Sequence, residues 1–276
     1  MAGFAVWLSM VAVLYGSVLA KLAGDWQTDA MYSHGFLVLP IAAWLAWQQR
    51  SGWRSTPLSS ANSGLWLVFL GLALLAAGTL GAELFLTRIS LIPVLAGTIA
   101  YVFGWRHLRL VAFPLAFLIF MVPLPTIVFD RVAVALQLVA SNLGERMLQA
   151  VNVPVLRDGN LLQLPGGTLD VNDACSGIRS IVALIMTATL AGYVAKSGTW
   201  KRLALVSAAV PLAIVLNATR VAVTGLTVTR FGMAAAEGFV HTLTGWLVFV
   251  GALASLWLVH RALGGSSDAK TALGTT

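Results

Sequence analysis

Apolar residues in this chain gather into runs of roughly 20, the length a helix needs to cross the hydrocarbon of a bilayer. Read this way, the pattern predicts eight spans, near residues 3–21, 34–48, 64–82, 89–105, 110–125, 176–195, 203–219 and 242–260. The second run is short for a crossing, which fits a tilted or partly re-entrant segment. The first lacks a basic leading region and a small-residue cleavage site, so it reads as a span and not as a removed signal peptide.

The pattern changes between residues 126 and 174. Val132, Leu136, Val139, Leu143 and Met147 recur at helical spacing among Asp130, Arg131, Glu145 and Arg146, which predicts an amphipathic helix over 128–151 lying on the membrane or docked on the bundle. Residues 153–171 then read as short strands: Asp158-Gly159 gives a two-residue hairpin signal and Pro165-Gly166-Gly167 a second turn. The expected fold is therefore an all-α integral membrane protein with a small extracytoplasmic cap, one surface helix plus a short β-hairpin or three-strand ribbon. It forms a single transmembrane domain over 1–262, with a disordered tail over 263–276.

Composition supports the membrane class. Of 276 residues, 59% are hydrophobic and 10% charged, against about 25% charged in a soluble domain, and the ten Trp suit a lipid–water interface. The formal charge of +7 is not gathered into a basic run or an aromatic-interleaved patch, so nucleic acid is not an expected partner. It follows topology instead. Arg50, Arg54, Arg106, Arg109, Lys196, Lys201, Arg202, Arg261 and Lys270 fall in one set of loops, read as cytoplasmic, while every acidic residue except Asp268 falls in the other. Both termini are then cytoplasmic.

That topology places the only cysteine, Cys175, in a polar island facing outward, N-D-A-C-S-G-I-R-S at 172–180. On residue type alone a free cysteine is usually a small buried hydrophobe. Asn172 or Asp173 can cap the sixth span, however, and the N–H groups and dipole of the first turn then favour a thiolate at Cys175. Ser176 and Gly177 belong to that turn, whose N–H groups can serve as an oxyanion hole, and Gly177 leaves room for a peptide. Asp173 opposes the thiolate, so a nearby cation is required.

Arg179, four residues on, lies on the same helix face and reads either as that cation or as an interfacial anchor. Arg220 closes L-N-A-T-R at the outer end of the seventh span, with Asn217 behind it and Thr224 one turn ahead; an arginine there marks a function unless it snorkels to the headgroups. His241 opens the eighth span, and Glu237 four residues earlier would orient the imidazole and favour its charged form. His34 reads as a supporting residue or as a helix-end hydrogen bond. His107 and His260 sit among basic residues at cytoplasmic ends and read as structural. The four His are scattered and the cysteine has no ligand-spaced partner, so no metal and no cofactor are expected.

A-C-S-G-I-R-S entering a span, N-A-x-R within a later one, and H-x-x-x-G-W after it resemble the three signature blocks of the exosortase/archaeosortase family of membrane transpeptidases. Y-S-H-G-F-L near the N-terminus, F-P-L-A-F-L-I-F-M-V-P-L-P at 113–125 and G-N-L-L-Q-L-P-G-G-T-L before the cysteine are similar too, so the resemblance covers about 29–250. It implies Cys175 as nucleophile, Arg220 as stabiliser of the thiolate or oxyanion, and His241 as the third catalytic residue, His pointing to the bacterial branch. The Thr in N-A-T-R is a small departure that leaves the arginine in place. The implied substrates are exported proteins with a C-terminal sorting signal, a Pro-Glu-Pro-type motif followed by a transmembrane helix and a basic tail. The implied partners are those proteins, the bilayer of the inner membrane and an amine-bearing lipid or glycan acceptor. The rival readings are an endopeptidase that hydrolyses the same signal and a non-enzymatic polysaccharide-export or transport protein.

Overall fold

The computed structural model describes residues 2–171, 177–236 and 239–263; for 2–8, 177, 236 and 239–242 the description is of the backbone alone. The chain divides into two compact units, Met1–Thr126 and Ile127–Thr276. Five helical stretches among the described residues are long and apolar enough to cross a membrane: Asn62–Leu80, Leu84–Val102, Thr126–Ala150, Thr199–Phe231 and Leu243–Ala262. Shorter apolar helices cover Gly35–Gln48 and Ile178–Val194. The protein is thus a mostly helical membrane protein.

The first unit contains α1 (Ala2–Thr28), α2 (Gly35–Gln48), α3 (Arg50–Ser55), α4 (Leu65–Leu80), α5 (Leu84–Ile89), α6 (Leu91–Val102) and α7 (Trp105–Phe117). In α4 and the turn before it, glycines recur every seven residues, and each lies against backbone of α5 or α6. A Cβ at Gly64 would lie 2.5 Å from Tyr101 N, at Gly71 2.9 Å from Ser90 O, and at Gly78 2.6 Å from Thr87 N. Lipid gives no hydrophobic drive between helices, so this small-residue seam gains its stability from close van der Waals packing. α1 is tied down at its middle by Tyr15, whose hydroxyl lies 3.0 Å from Ser90 Oγ, and near its C-terminal end by an ion pair between Asp25 and Arg88. Arg88 is only 5% exposed, so Asp25 offsets a charge that would otherwise be costly to bury.

Gly104, at φ 99°, turns the chain from α6 into α7, which starts at Trp105 and not near 110 as the hydropathy run suggests. The basic residues Arg106 and Arg109 dilute the apolar signal of its first turns without breaking the helix.

The second unit begins with α8 (Thr126–Ala150) and a three-stranded antiparallel ribbon, β1 (Leu156–Asp158), β2 (Leu161–Leu164) and β3 (Gly167–Asp170). The turns fall at Gly159-Asn160, with Gly159 at φ 62°, and at Pro165-Gly166. The helix expected on the membrane surface is long and apolar enough to cross a bilayer, so its length alone does not confine it there. Its C-terminal half packs Ala140 and Leu148 into one core with Leu162 and Leu164 of the ribbon.

The remaining helices are α9 (Gly177–Val194), α10 (Thr199–Phe231), the single turn α11 (Met233–Ala236) and α12 (Phe239–Ala262). Leu184 and Ala188 of α9, Leu205, Ala209 and Ala213 of α10, and Ala252 and Leu256 of α12 form a second core. Where the hydropathy run ends at 219, α10 continues unbroken to Phe231 and stops at Gly232, φ 80°, whose N–H bonds Val228 O. At 33 residues it is roughly 50 Å long, more than a bilayer requires. Thr224, Thr227, Thr229 and Arg230 hide this extension from a hydropathy reading, but the ribbon stabilises it. Val221 and Val228 join the ribbon core, and a Cβ at Gly166 would lie 2.1 Å from Val228 O.

Candidate active site

Cys175, Asn172, Asp173, Ser176 and Glu237 lie outside the described residues, and so does most of the expected tail. The frame around them is described. Cys175 stands two positions before α9 begins at Gly177, and His241 occupies the first turn of α12, where its backbone alone is described.

Arg220 sits about two-thirds along α10, not at its end, because the helix runs eleven residues further. The preceding turn carries Asn217 and the following one Thr224, and both side chains are buried. The guanidinium crosses to α12. A Cβ on Gly245 would lie 3.2 Å from Arg220 Nη2 and 3.4 Å from its Cζ, so the absent side chain is what lets the arginine lie against that helix. Gly245 is four residues after His241, one turn along the same face. Arg220 is thereby held beside the stripe of α12 that carries His241.

From α9, Arg179, Ser180 and Ala183 meet Arg220, Gly245, Trp246 and Phe249 around an open cavity of about 350 Å³. Arg179 is exposed and lies four residues after Cys175. Two arginines line this cavity and no carboxylate among the described residues does, so it favours negative charge: a thiolate, an oxyanion or a carboxylate. Its size suits a few side chains of a peptide. The structure thus brings together Arg179 and Arg220 from the residues singled out in the sequence, together with the helix of His241.

The elements around the site fix α10 firmly. A Cβ at Gly144 of α8 would lie 2.7 Å from Val221 Cγ1, the residue next to Arg220, so α8 and α10 meet at close range just behind the arginine. Gly225, one turn on, faces Leu148 and Leu164 in the same way.

Sequence reasoning did not single out Ala183 or Phe249, and it gave Ser180 and Gly245 no role of their own although both stand in the signature blocks. Gly245 had a signal, a glycine one turn after a histidine, but its meaning depends on an arginine 25 positions away. His34, in the first unit, is the N-cap residue of α2, but its side chain makes no capping hydrogen bond; its Nε2 lies 3.0 Å from Phe120 O.

No curated protein and no solved structure matches the chain. A family model described as transmembrane exosortase matches residues 26–258, which takes in α2 to α9, the ribbon, α10 and nearly all of α12. The chain belongs to the transmembrane exosortase family.

Proposed function

We propose that this protein is a cysteine transpeptidase of the bacterial inner membrane, with both termini cytoplasmic and its site facing the periplasm. It cleaves the C-terminal sorting signal of exported proteins and passes them to an acceptor. The observation that carries this reading is the seat of Arg220, against Gly245 and one turn from His241, in a cavity that Arg179 enters from the helix following Cys175.

The chemistry runs as follows. Cys175 Sγ, as the thiolate of a pair with the His241 imidazolium, attacks the scissile carbonyl carbon. Arg220 and N–H groups at the start of α9 stabilise the oxyanion. As the C–N bond breaks, His241 gives its proton to the departing amine, leaving a thioester on Cys175. An acceptor amine then attacks the thioester carbonyl, His241 takes up its proton, and the thiolate leaves. Helix capping is assigned to Asn172 or Asp173. Glu237 keeps His241 oriented, and Arg179 offsets the charge of Asp173 beside the thiolate.

The test is substrate processing in cells by Cys175→Ala and Cys175→Ser variants, with mass spectrometry of the mature substrate. The reading predicts that both variants insert and fold but leave the signal uncleaved, and that the wild-type product carries an added acceptor mass. A plain C-terminal carboxylate would mark hydrolysis. Processing by Cys175→Ala would overturn the reading.

A further inference from the structure

The first unit holds a cavity lined by none of the residues of the proposed chemistry. It is an open groove of about 550 Å³ between α2, α3, α6 and α7, lined on its sides by Leu39, Ala42, Ala43, Ala46, Leu115 and Leu118. Arg50 and Arg54 stand at one end, beside Trp47 and Trp53. That end is firmly built: Trp53 packs edge-on against Phe103 and His107 at 5.0 and 4.7 Å. His107, buried, lies 3.2 Å from Trp53 O through Nε2 and 2.8 Å from Phe103 O through Nδ1. Arg50 lies over the Trp47 ring at 5.3 Å.

Charge at this end is of one sign. Arg106 and Arg109, both exposed, add to Arg50 and Arg54 from the start of α7. Between Asp29 and Asp130 the only carboxylate in the sequence is Glu83. Glu83 caps α5 next to Gly78, at the opposite end of α4 from Gly64 and Tyr101. Nothing in this stretch of sequence neutralises the arginines at the groove.

Shape and charge select the occupant. From Leu39 to Trp47 the groove follows α2 for roughly 12 Å before it reaches Arg50 and Arg54 of α3, within the ~15 Å hydrocarbon depth of one leaflet. Its walls are apolar and its charged end carries two arginines, the complement of an acyl chain with an anionic head.

We infer that this groove binds an anionic glycerophospholipid of the surrounding bilayer, with one acyl chain along α2 and α7 and the headgroup phosphate on Arg50 and Arg54. Trp47 and Trp53 hold the glycerol level at the interface, as indole does elsewhere, and basic pockets at the ends of membrane helices take such headgroups.

The test uses the full-length protein, delipidated in detergent and titrated with phosphatidylglycerol or phosphatidylcholine of matched chains. Retained lipid is read by native mass spectrometry. Two arginines at the membrane surface predict a preference for phosphatidylglycerol of roughly thirtyfold. Arg50→Gln with Arg54→Gln removes the preference, Arg50→Lys with Arg54→Lys keeps most of it, and Ala43→Trp, which fills the groove, weakens both lipids. Because the arginines are exposed, the Gln pair tests the site without touching the core. Equal affinity of the wild type for the two lipids would overturn the inference, as would an unchanged preference in the Gln pair or undiminished binding by Ala43→Trp.

Discussion

Arg220 reaches from α10 to the backbone of Gly245 on α12, so closely that a methyl group on Gly245 would stand 3.2 Å from its Nη2. The glycine makes room for the guanidinium, and the guanidinium fixes the spacing of the two helices that present Arg220 and His241. Gly245→Ala therefore displaces the arginine by a few tenths of an ångström, while Ala is favoured over Gly in a helix by about 1 kcal/mol. The expected result is unchanged or slightly raised thermal stability with substrate processing down about tenfold. Gly245→Leu abolishes processing. A time course of substrate maturation beside a melting curve in detergent separates the two effects.

Replacing Arg220 asks whether its charge or its shape matters. Lys keeps the charge but loses the planar fork and cannot both lie along Gly245 and point donors into the cavity. Arg220→Lys is expected to slow processing about 10²-fold, and Arg220→Gln about 10³-fold, in the range for loss of one oxyanion donor. Single-turnover rates on a purified sorting-signal substrate measure this.

The ribbon rests on the extension of α10 through Gly166, where a Cβ would meet Val228 O at 2.1 Å. Helix backbone cannot yield there as a flexible side chain can. Gly166→Ala should cost about 1–3 kcal/mol by forcing the two apart. It should also make the ribbon a site of early cleavage in limited proteolysis, with α9 and α12 still protected.

In the first unit, Asp25→Ala leaves the guanidinium of Arg88 buried without its carboxylate. The loss is expected near 2 kcal/mol, below the usual cost for a fully buried pair because the Asp25 side chain is 38% exposed. Arg88→Met with Asp25→Ala should recover much of it. Thermal unfolding of the three variants in one detergent decides the order.

Much of the helical layout was legible because periodic apolar runs carry it: α2, α4, α9 and α12 begin and end within a few residues of the runs that predict them. The ribbon was legible from its turns, although the first loop is Gly159-Asn160, one position beyond the Asp-Gly signal. What stayed hidden depends on distant partners. The last eleven residues of α10 follow the charge of Arg220 and mix threonines and Arg230 with apolar positions, which blurs the run, and the helix persists there because Val228 and Gly225 meet the ribbon and α8. Gly144, Gly166 and Gly245 each matter through a contact more than 20 positions away in sequence, which no local pattern carries. Arg220 was legible as a costly charge in an apolar helix, but its seat on α12 was not.

The most direct measurement is the mass of the tryptic peptide that carries Cys175, residues 158–179, after brief incubation of the protein with a sorting-signal substrate. The account predicts an acyl adduct on Cys175 that hydroxylamine removes and that Cys175→Ala lacks. Cleaved substrate accumulating with no adduct on this peptide, and at the same rate in Cys175→Ala, would contradict it.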